Sequence, residues 1–237
     1  MLAFDSFQAI TFDCYGTLID WESGILRVFQ PLLAEHGKRV PDEQILALYG
    51  ELEPAIQSGE YLPYRVVLEE VVRGMGQHFG FSVSTDEARG LAASLKNWMP
   101  YPDTVAALRA LKGRYRLGII SNTDDDLFSD TARHLRVAFD WVITAEQARA
   151  YKPARAIFEL ALRKIGLAPE KVLHAGQSIF HDVIPARQMG MATLLVTRRG
   201  PGATKRVAAQ ADLEVPDLKT LAEMAVSSGG ERAAAIV

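Results

Sequence analysis

The feature that most constrains this chain is the alternation of short apolar runs with longer amphipathic segments. Five runs rich in apolar and β-branched residues are the expected strands: residues 9–12, 117–120, 141–144, 172–175 and 193–196. Strands that alternate with segments of helical length form parallel sheets covered by helices. The sequence therefore predicts an α/β fold. Ligands of such sheets bind beyond the carboxyl ends of the strands, so polar residues at those ends are the first candidates for a functional site.

A stretch of about eighty residues between the first two strands contains no good strand but has apolar residues at helical spacing. It predicts four helices, at residues 25–33, 42–56, 64–79 and 85–95. We expect a discontinuous core of residues 1–18 and 97–237 that carries a helical cap domain of residues 19–96. Asp103 is a candidate cap for a helix at residues 104–112. The tail after Val226 has little to anchor it and is expected to be disordered.

Charge and cysteine content restrict the possible partners and compartment. The chain has 26 basic and 29 acidic residues, well mixed along the sequence, with a net charge of -3. A charge distribution of this kind does not predict a basic surface that would bind nucleic acid or an anionic membrane. We expect a small anionic molecule as the partner and leave a homodimer open. A single cysteine, Cys14, and the absence of a secretory-type leader favour a cytoplasmic location.

The first strand leads directly into Asp13, Cys14, Tyr15, Gly16 and Thr17. A carboxylate at a strand end can attack an electrophilic carbon or phosphorus atom, while N–H groups of the following loop hold an anionic substrate. The alternative for Asp13 alone is a residue that hydrogen-bonds its own turn. A nucleophilic Cys14 is disfavoured, because the motif contains no histidine that would activate the thiol.

Polar residues also follow the next three strands. Ser121 ends the second strand, and the aspartates at 124–126 are interpreted as the cap and solvated first turn of the next helix. Lys152 follows the third strand; it could neutralise a buried carboxylate, although most lysines are simply solvated. Asp182, after the fourth strand, is either a helix cap or an acid of the site. Four such strand ends in succession predict one cleft.

These motifs resemble those of the haloacid dehalogenase superfamily, in the same order and spacing, and the helical insert lies where that family carries its cap. The resemblance covers nearly the whole chain and implies a Rossmann-like core. It also implies four catalytic residues, each matching one motif: Asp13 as nucleophile, Ser121 as an anion-binding hydroxyl, Lys152 as the positive partner of the nucleophile, and Asp182 as a residue that assists the site.

Two positions separate the phosphatases of this superfamily from its dehalogenases. The phosphatases usually carry a second Asp two residues after the nucleophile, as acid and base for the leaving oxygen and the water, whereas Tyr15 stands there. Gln177 replaces a carboxylate of the usual magnesium cage. Halide leaves without a proton, so we expect hydrolytic dehalogenation of a small 2-haloalkanoic acid, with no required metal and no cofactor. The alternatives are a phosphatase for small phosphomonoesters and a non-catalytic binding protein.

The resemblance also suggests residues that bind the substrate or the departing halide: Cys14, Tyr15, Thr17, Asn122, Gln177, Ser178 and Arg65. Asn122 matches the dehalogenase pattern directly. Arg65 is chosen on charge alone, because residues 45–49 contain no arginine where classical dehalogenases carry one to grip the substrate carboxylate; an exposed helical arginine is the alternative. Trp21, Tyr61 and Tyr64 are candidates for an apolar wall.

Overall fold

The computed structural model describes residues 2–198 and 208–227, and these contain one six-stranded parallel sheet. Its strands are β1 (Ala9–Phe12), β2 (Arg116–Ser121), β3 (Trp141–Thr144), β4 (Val172–Gly176), β5 (Ala192–Val196) and β6 (Leu213–Val215). The order across the sheet is β3-β2-β1-β4-β5-β6. Successive strands are added on one side of β1 up to β3 and on the other side from β4 onwards, as in Rossmann-like folds. In such sheets ligands bind in the crevice between the two strands where the order reverses, here β1 and β4.

The five strands expected from the apolar runs are confirmed, and β6 is additional. β1 and β4 are buried along their whole length, as expected for strands with helices on both faces. In the pairing register, Phe12 lies opposite both Ile119 of β2 and Ala175 of β4. The carboxyl ends of these three strands therefore lie side by side.

Four helices occupy residues 21–94, after β1: α1 (Trp21–Glu35), α2 (Asp42–Gln57), α3 (Tyr64–Phe79) and α4 (Thr85–Ser94). The predicted helical insert is thus confirmed, while its exact domain limits remain a prediction. α1 begins earlier than its apolar spacing indicates, because the Asp20 carboxylate accepts the Ser23 N–H and caps the helix. α4 begins with a reciprocal capping box between Ser84 and Glu87.

In the described residues after the insert there are six further α-helices: α5 (Thr104–Lys112), α6 (Asp125–Leu135), α7 (Ala145–Ala148), α8 (Arg155–Ile165), α9 (Ile184–Gln188) and α10 (Leu218–Ser227). The sequence patterns did not predict α10. The tail expected to be disordered lies outside the described residues, apart from Ser227 at the end of α10. No helix in the described part of the chain is long and apolar enough to cross a lipid bilayer.

Two aspartates cap helices other than those they precede, which corrects the sequence interpretation. Asp103 makes no cap bond to α5; its Oδ2 accepts the N–H groups of Leu218 and Lys219 at the start of α10. Asp124 likewise makes no cap bond to α6 and is buried rather than solvated. Its two oxygens accept the N–H groups of Tyr64 and Arg65, so a core carboxylate caps the first turn of α3.

Candidate active site

The four side chains predicted as catalytic converge at one edge of the sheet, where they line a single cavity. Asp13 follows β1, Ser121 ends β2, Lys152 lies between α7 and α8, and Asp182 lies in a π-helical turn after β4. All four are buried. The placement follows from the sheet register, which sets the ends of β1, β2 and β4 next to one another. Their catalytic roles remain predictions.

Lys152 bridges the two carboxylates of the site. Its Nζ donates to Asp13 Oδ1 at 2.7 Å and to Asp182 Oδ1 at 2.6 Å. The side chain of Lys152 is only 2% exposed, so solvent does little to screen these ion pairs. One ammonium therefore holds both acids at a fixed separation.

Burial and the shared cation set the ionisation of these three groups. Burial raises the pKa of Asp13, opposed chiefly by Lys152 and reinforced by the negative charge of Asp182. The pKa of Asp182 is lowered, because Lys152 and His174 together outweigh the effect of burial. The pKa of Lys152 is raised, since both carboxylates favour its charged form. Asp182 and Lys152 are consequently ionised at neutral pH.

All four carboxylate oxygens already accept hydrogen bonds. Thr17 Oγ1 donates to Asp13 Oδ2 at 2.8 Å, and the Ser178 N–H donates to Asp182 Oδ2 at 3.1 Å. His174 Nε2 lies 3.3 Å from Asp182 Oδ1. Among the described residues, no group of three or more His, Cys, Asp and Glu side chains is placed to hold a metal ion. The magnesium used by phosphatases of the superfamily does not fit this donor set, in which an ammonium bridges the two carboxylates.

The loop after Asp13 depends on a glycine and a threonine. Gly16 has a φ of +94, and a Cβ there would lie 2.2 Å from Gln177 Oε1. Its N–H donates to Ile19 O and is therefore not free for a substrate. Thr17 Oγ1 also accepts the Gln177 N–H, which ties the β1 loop to the β4 loop. In the described structure, the N–H groups of Cys14 and Tyr15 donate to no protein acceptor.

The cavity above Asp13 has a volume of about 60 Å³. Eight predicted site residues line it: Asp13, Tyr15, Ser121, Asn122, Lys152, Gln177, Ser178 and Asp182. Within the described ranges, the buried Ser121 hydroxyl has no hydrogen-bond partner. A buried polar group normally has one, so this hydroxyl is available to an anionic ligand. A wider groove of about 700 Å³ shares Pro54, Lys152 and His181 with the cavity.

Three predicted binding residues do not line the cavity. Thr17 contacts the Asp13 side chain instead, because its Oγ1 donates to Asp13 Oδ2. Cys14 is fully buried, and burial, followed by the charge of Asp13, raises the pKa of its thiol well above the ordinary value. The Arg65 guanidinium pairs with Asp126 and Asp124. In the described structure Arg65 does not line the cavity, and its contact with a substrate stays a prediction.

Tyr15 and Asn122 line the cavity, but their polar groups have protein partners. The Tyr15 hydroxyl hydrogen-bonds Thr131 at 2.8 Å, and burial raises the pKa of the phenol further above neutrality. The Asn122 amide accepts the Lys152 N–H at 2.7 Å and donates to Lys152 O at 3.2 Å. Asn122 therefore fixes the backbone that carries Lys152, in addition to any contact with a substrate.

The inserted helices supply a cavity wall that sequence reasoning found only in part. Trp21 and Tyr64 were candidates, whereas Glu53 and Pro54 of α2 were not. The signal for Glu53 is its spacing: Ile45, Tyr49 and Glu53 recur every four residues and are all buried. A carboxyl on the apolar face of a helix needs a partner or a function.

Comparisons with known proteins agree with the fold and motifs. Residues 7–190 match the family model of haloacid dehalogenase-like hydrolases. An (S)-2-haloacid dehalogenase of Pseudomonas fluorescens is 27% identical over 226 residues, covering 93% of this chain and 97% of that protein. A glyceraldehyde 3-phosphate phosphatase of Methanothermobacter thermautotrophicus is 35% identical, over 41% of this chain and 44% of that protein.

A solved structure, the L-2-haloacid dehalogenase PA0810, superimposes with a TM-score of 0.79 at 24% identity and covers 93% of this chain and 99% of that one. This similarity supports the fold. The family model spans more than half of the chain, including all four strand-end motifs. The chain is a member of the haloacid dehalogenase-like hydrolase family.

Proposed function

We propose that this enzyme hydrolyses small 2-haloalkanoic acids to 2-hydroxy acids through an alkyl ester of Asp13. The observation that carries the proposal is the pair of buried carboxylates bridged by Lys152, with a tethered phenol where phosphatases place their second acid. Halide needs no proton to depart, whereas an alkoxide does, so the absence of that acid is compatible with C–X cleavage. The similarity to (S)-2-haloacid dehalogenases over most of the chain supports the same chemistry.

The reaction divides into two displacements at this site. In the first, an oxygen of Asp13 attacks C2 of the haloacid, the C–X bond breaks and its electron pair leaves with the halide. In the second, water adds to Cγ of the ester while Asp182 takes one of its protons. Asp182 returns this proton to the departing alkoxide oxygen, so that the 2-hydroxy acid leaves, and the proton that remains on the Asp13 carboxyl is released to solvent. Haloacid and water thus give hydroxy acid, halide and a proton. Lys152 stabilises Asp13 as an anion before attack and after release.

The cavity suits a short anion. A volume of about 60 Å³ has room for a small molecule. The unpartnered Ser121 hydroxyl and the N–H group of Tyr15, both on residues that line the cavity, are donors for the substrate carboxylate. Holding the attacking oxygen and the carbon in contact contributes about 7–11 kcal/mol towards the barrier.

A substrate panel tests the proposal. Halide release is measured with chloroacetate, fluoroacetate and both enantiomers of 2-chloropropionate, and phosphate release with p-nitrophenyl phosphate and glycerol phosphate. We expect halide release that Asp13→Asn abolishes and that the control Asp20→Asn, at the α1 cap, retains. Phosphate release without halide release from any haloacid would overturn the proposal in favour of a phosphatase.

A further inference from the structure

Glu53 is a buried carboxyl that the two displacements leave without a role. It belongs to α2, is 8% exposed and lines the cavity together with Asp13. Gln57 Nε2 donates to its Oε1 at 2.5 Å, and the Tyr64 hydroxyl donates to the same oxygen at 3.3 Å. Both hydrogen bonds recorded in the described chain therefore go to Oε1, which leaves Oε2 for a ligand.

The position of Glu53 is fixed from the core. Asn122 Nδ2 lies 3.4 Å from Gln57 Oε1, so the Asn122 amide reaches Glu53 through Gln57. Asp124 accepts the Tyr64 N–H at 2.7 Å and thereby holds the residue whose hydroxyl contacts Glu53. Two separate hydrogen-bonded contacts, through Gln57 and through Tyr64, thus hold the Glu53 carboxyl in place at the cavity. A functional group needs such support to keep its position.

The surroundings favour the protonated carboxyl. No Lys, Arg or His of the described residues lies within ion-pair distance of Glu53, although Lys152 and Asp13 act on it from across the cavity. Burial raises its pKa to about 7; the hydrogen bonds from Tyr64 and Gln57 lower it and the charge of Asp13 raises it. Below this pH most of the carboxyl is an uncharged O–H donor, which can lie next to an anion without charge repulsion.

Asp13 and Glu53 belong to different parts of the cavity wall. Asp13 lies at the sheet edge, whereas Trp21, Glu53, Pro54 and Tyr64 come from the inserted helices and form another part of the wall. An in-line attack by Asp13 expels the halide on the far side of the carbon, away from the sheet edge. We propose that Glu53 acts in its protonated form and donates its O–H to the departing halide of a 2-haloacid.

This inference rests on the proposed dehalogenation and adds a catalytic residue to it. The Asp13 O–C bond forms, the C–X bond breaks, and the halide carries away the electron pair while Glu53 keeps its proton and binds the ion. Fluoride is the strongest hydrogen-bond acceptor among the halides and leaves carbon most reluctantly. The contribution of Glu53 is therefore largest for a fluoroacid and smallest for a bromoacid.

The test compares fluoride and bromide release from fluoroacetate and bromoacetate by wild type, Glu53→Ala, Glu53→Gln and the control Glu43→Gln, an exposed residue of α2. Glu53→Ala is expected to slow fluoride release on the order of 100-fold and bromide release only about threefold. The fluoride-to-bromide ratio within one preparation cancels any loss of folded protein. The control is expected to match wild type.

The pH profile gives the second readout. In wild type, kcat/KM for fluoroacetate is expected to be constant below about pH 7 and to fall above it towards the value of Glu53→Ala, because the donor is lost on ionisation. Glu53→Gln keeps an N–H donor that does not ionise, and this fall should disappear. The pH at which the rate falls does not by itself identify Glu53, so the fall is assigned to Glu53 by comparing the variants. Several other titratable groups act on Glu53 or share its cavity: Asp13, Tyr15, Tyr49, Tyr64, Tyr151, Lys152, His181 and Asp182.

The outcomes separate the two claims. If Glu53→Ala slows fluoride and bromide release by the same factor, or if Glu53→Gln retains the alkaline fall, the role of Glu53 is wrong while dehalogenation stands. If wild type releases halide from neither acid, the proposed function fails and this inference fails with it.

Discussion

Replacing Asp124 by Ala removes a cap that the core supplies to the inserted helix α3. The carboxylate accepts the Tyr64 N–H at 2.7 Å and the Arg65 N–H at 3.1 Å, and Arg65 Nε lies 3.3 Å from its Oδ2. Asp124 is 2% exposed and Tyr64 is 3% exposed. Water therefore cannot easily replace the lost acceptor at the Tyr64 N–H.

The magnitude follows from these contacts. An unsatisfied buried N–H costs about 1–3 kcal/mol, and loss of a helix cap costs about 0.5–2 kcal/mol. The two figures are not simply added, because both include the hydrogen bond lost at the Tyr64 N–H. We expect Asp124→Ala to lower the free energy of unfolding by about 2–3 kcal/mol. Asp126 is the matched control, because it binds the same arginine but its side chain is 67% exposed. Asp126→Ala should cost less than about 1 kcal/mol.

Urea denaturation measures both variants, followed by far-UV circular dichroism and by tryptophan fluorescence so that coincident transitions support a two-state treatment. Asp124→Asn, which keeps one acceptor oxygen, should be destabilised by an intermediate amount. Equal losses for Asp124→Ala and Asp126→Ala, or a loss below about 1 kcal/mol for Asp124→Ala, would refute the reasoning that a buried core carboxylate caps α3.

Three further predictions concern the site itself. Asp182→Asn should let the Asp13 ester accumulate during turnover, since the base for water is lost; intact mass and peptide mapping would locate it, and an adduct on Cys14 would contradict the assignment. Gly176→Ala should lower halide release on the order of tenfold or more, because the new Cβ would lie 2.4 Å from Asp182 Cγ, while an unchanged rate would show that Asp182 position is not critical. Exhaustive chelation should leave turnover intact, because Lys152 bridges the carboxylates; loss of activity that magnesium alone restores would disprove metal independence.

The sequence was sufficient for five of the six strands in the described sheet and for the convergence of their ends. Short β-branched runs define buried parallel strands, and residues at the carboxyl ends of adjacent strands must lie near one another. This is why the sequence alone groups four residues in one cleft: Asp13, Ser121, Lys152 and Asp182. β6 was missed because three residues carry too little periodicity to distinguish a strand from a loop.

Contacts between distant segments could not be predicted from local patterns. An aspartate just before a helix normally caps that helix, yet Asp103 and Asp124 cap α10 and α3, which lie far away in sequence. The pairing of Arg65 with Asp126 is likewise not evident from the sequence. Glu53 resembled the many solvated acids of amphipathic helices, and only its spacing from Ile45 and Tyr49 indicated burial.

The central claim is that Asp13, rather than water, attacks the substrate carbon, and a single turnover in ¹⁸O-labelled water tests it most directly. Enzyme is mixed in excess with chloroacetate so that each active site turns over at most once. The ¹⁸O content of the glycolate and of the peptide that contains Asp13 is then measured by mass spectrometry. Water that adds to Cγ of an ester leaves its oxygen in the Asp13 carboxylate, and the original Asp13 oxygen departs with the product. We therefore predict label in the Asp13 peptide and unlabelled glycolate; labelled glycolate with an unlabelled peptide would contradict the account.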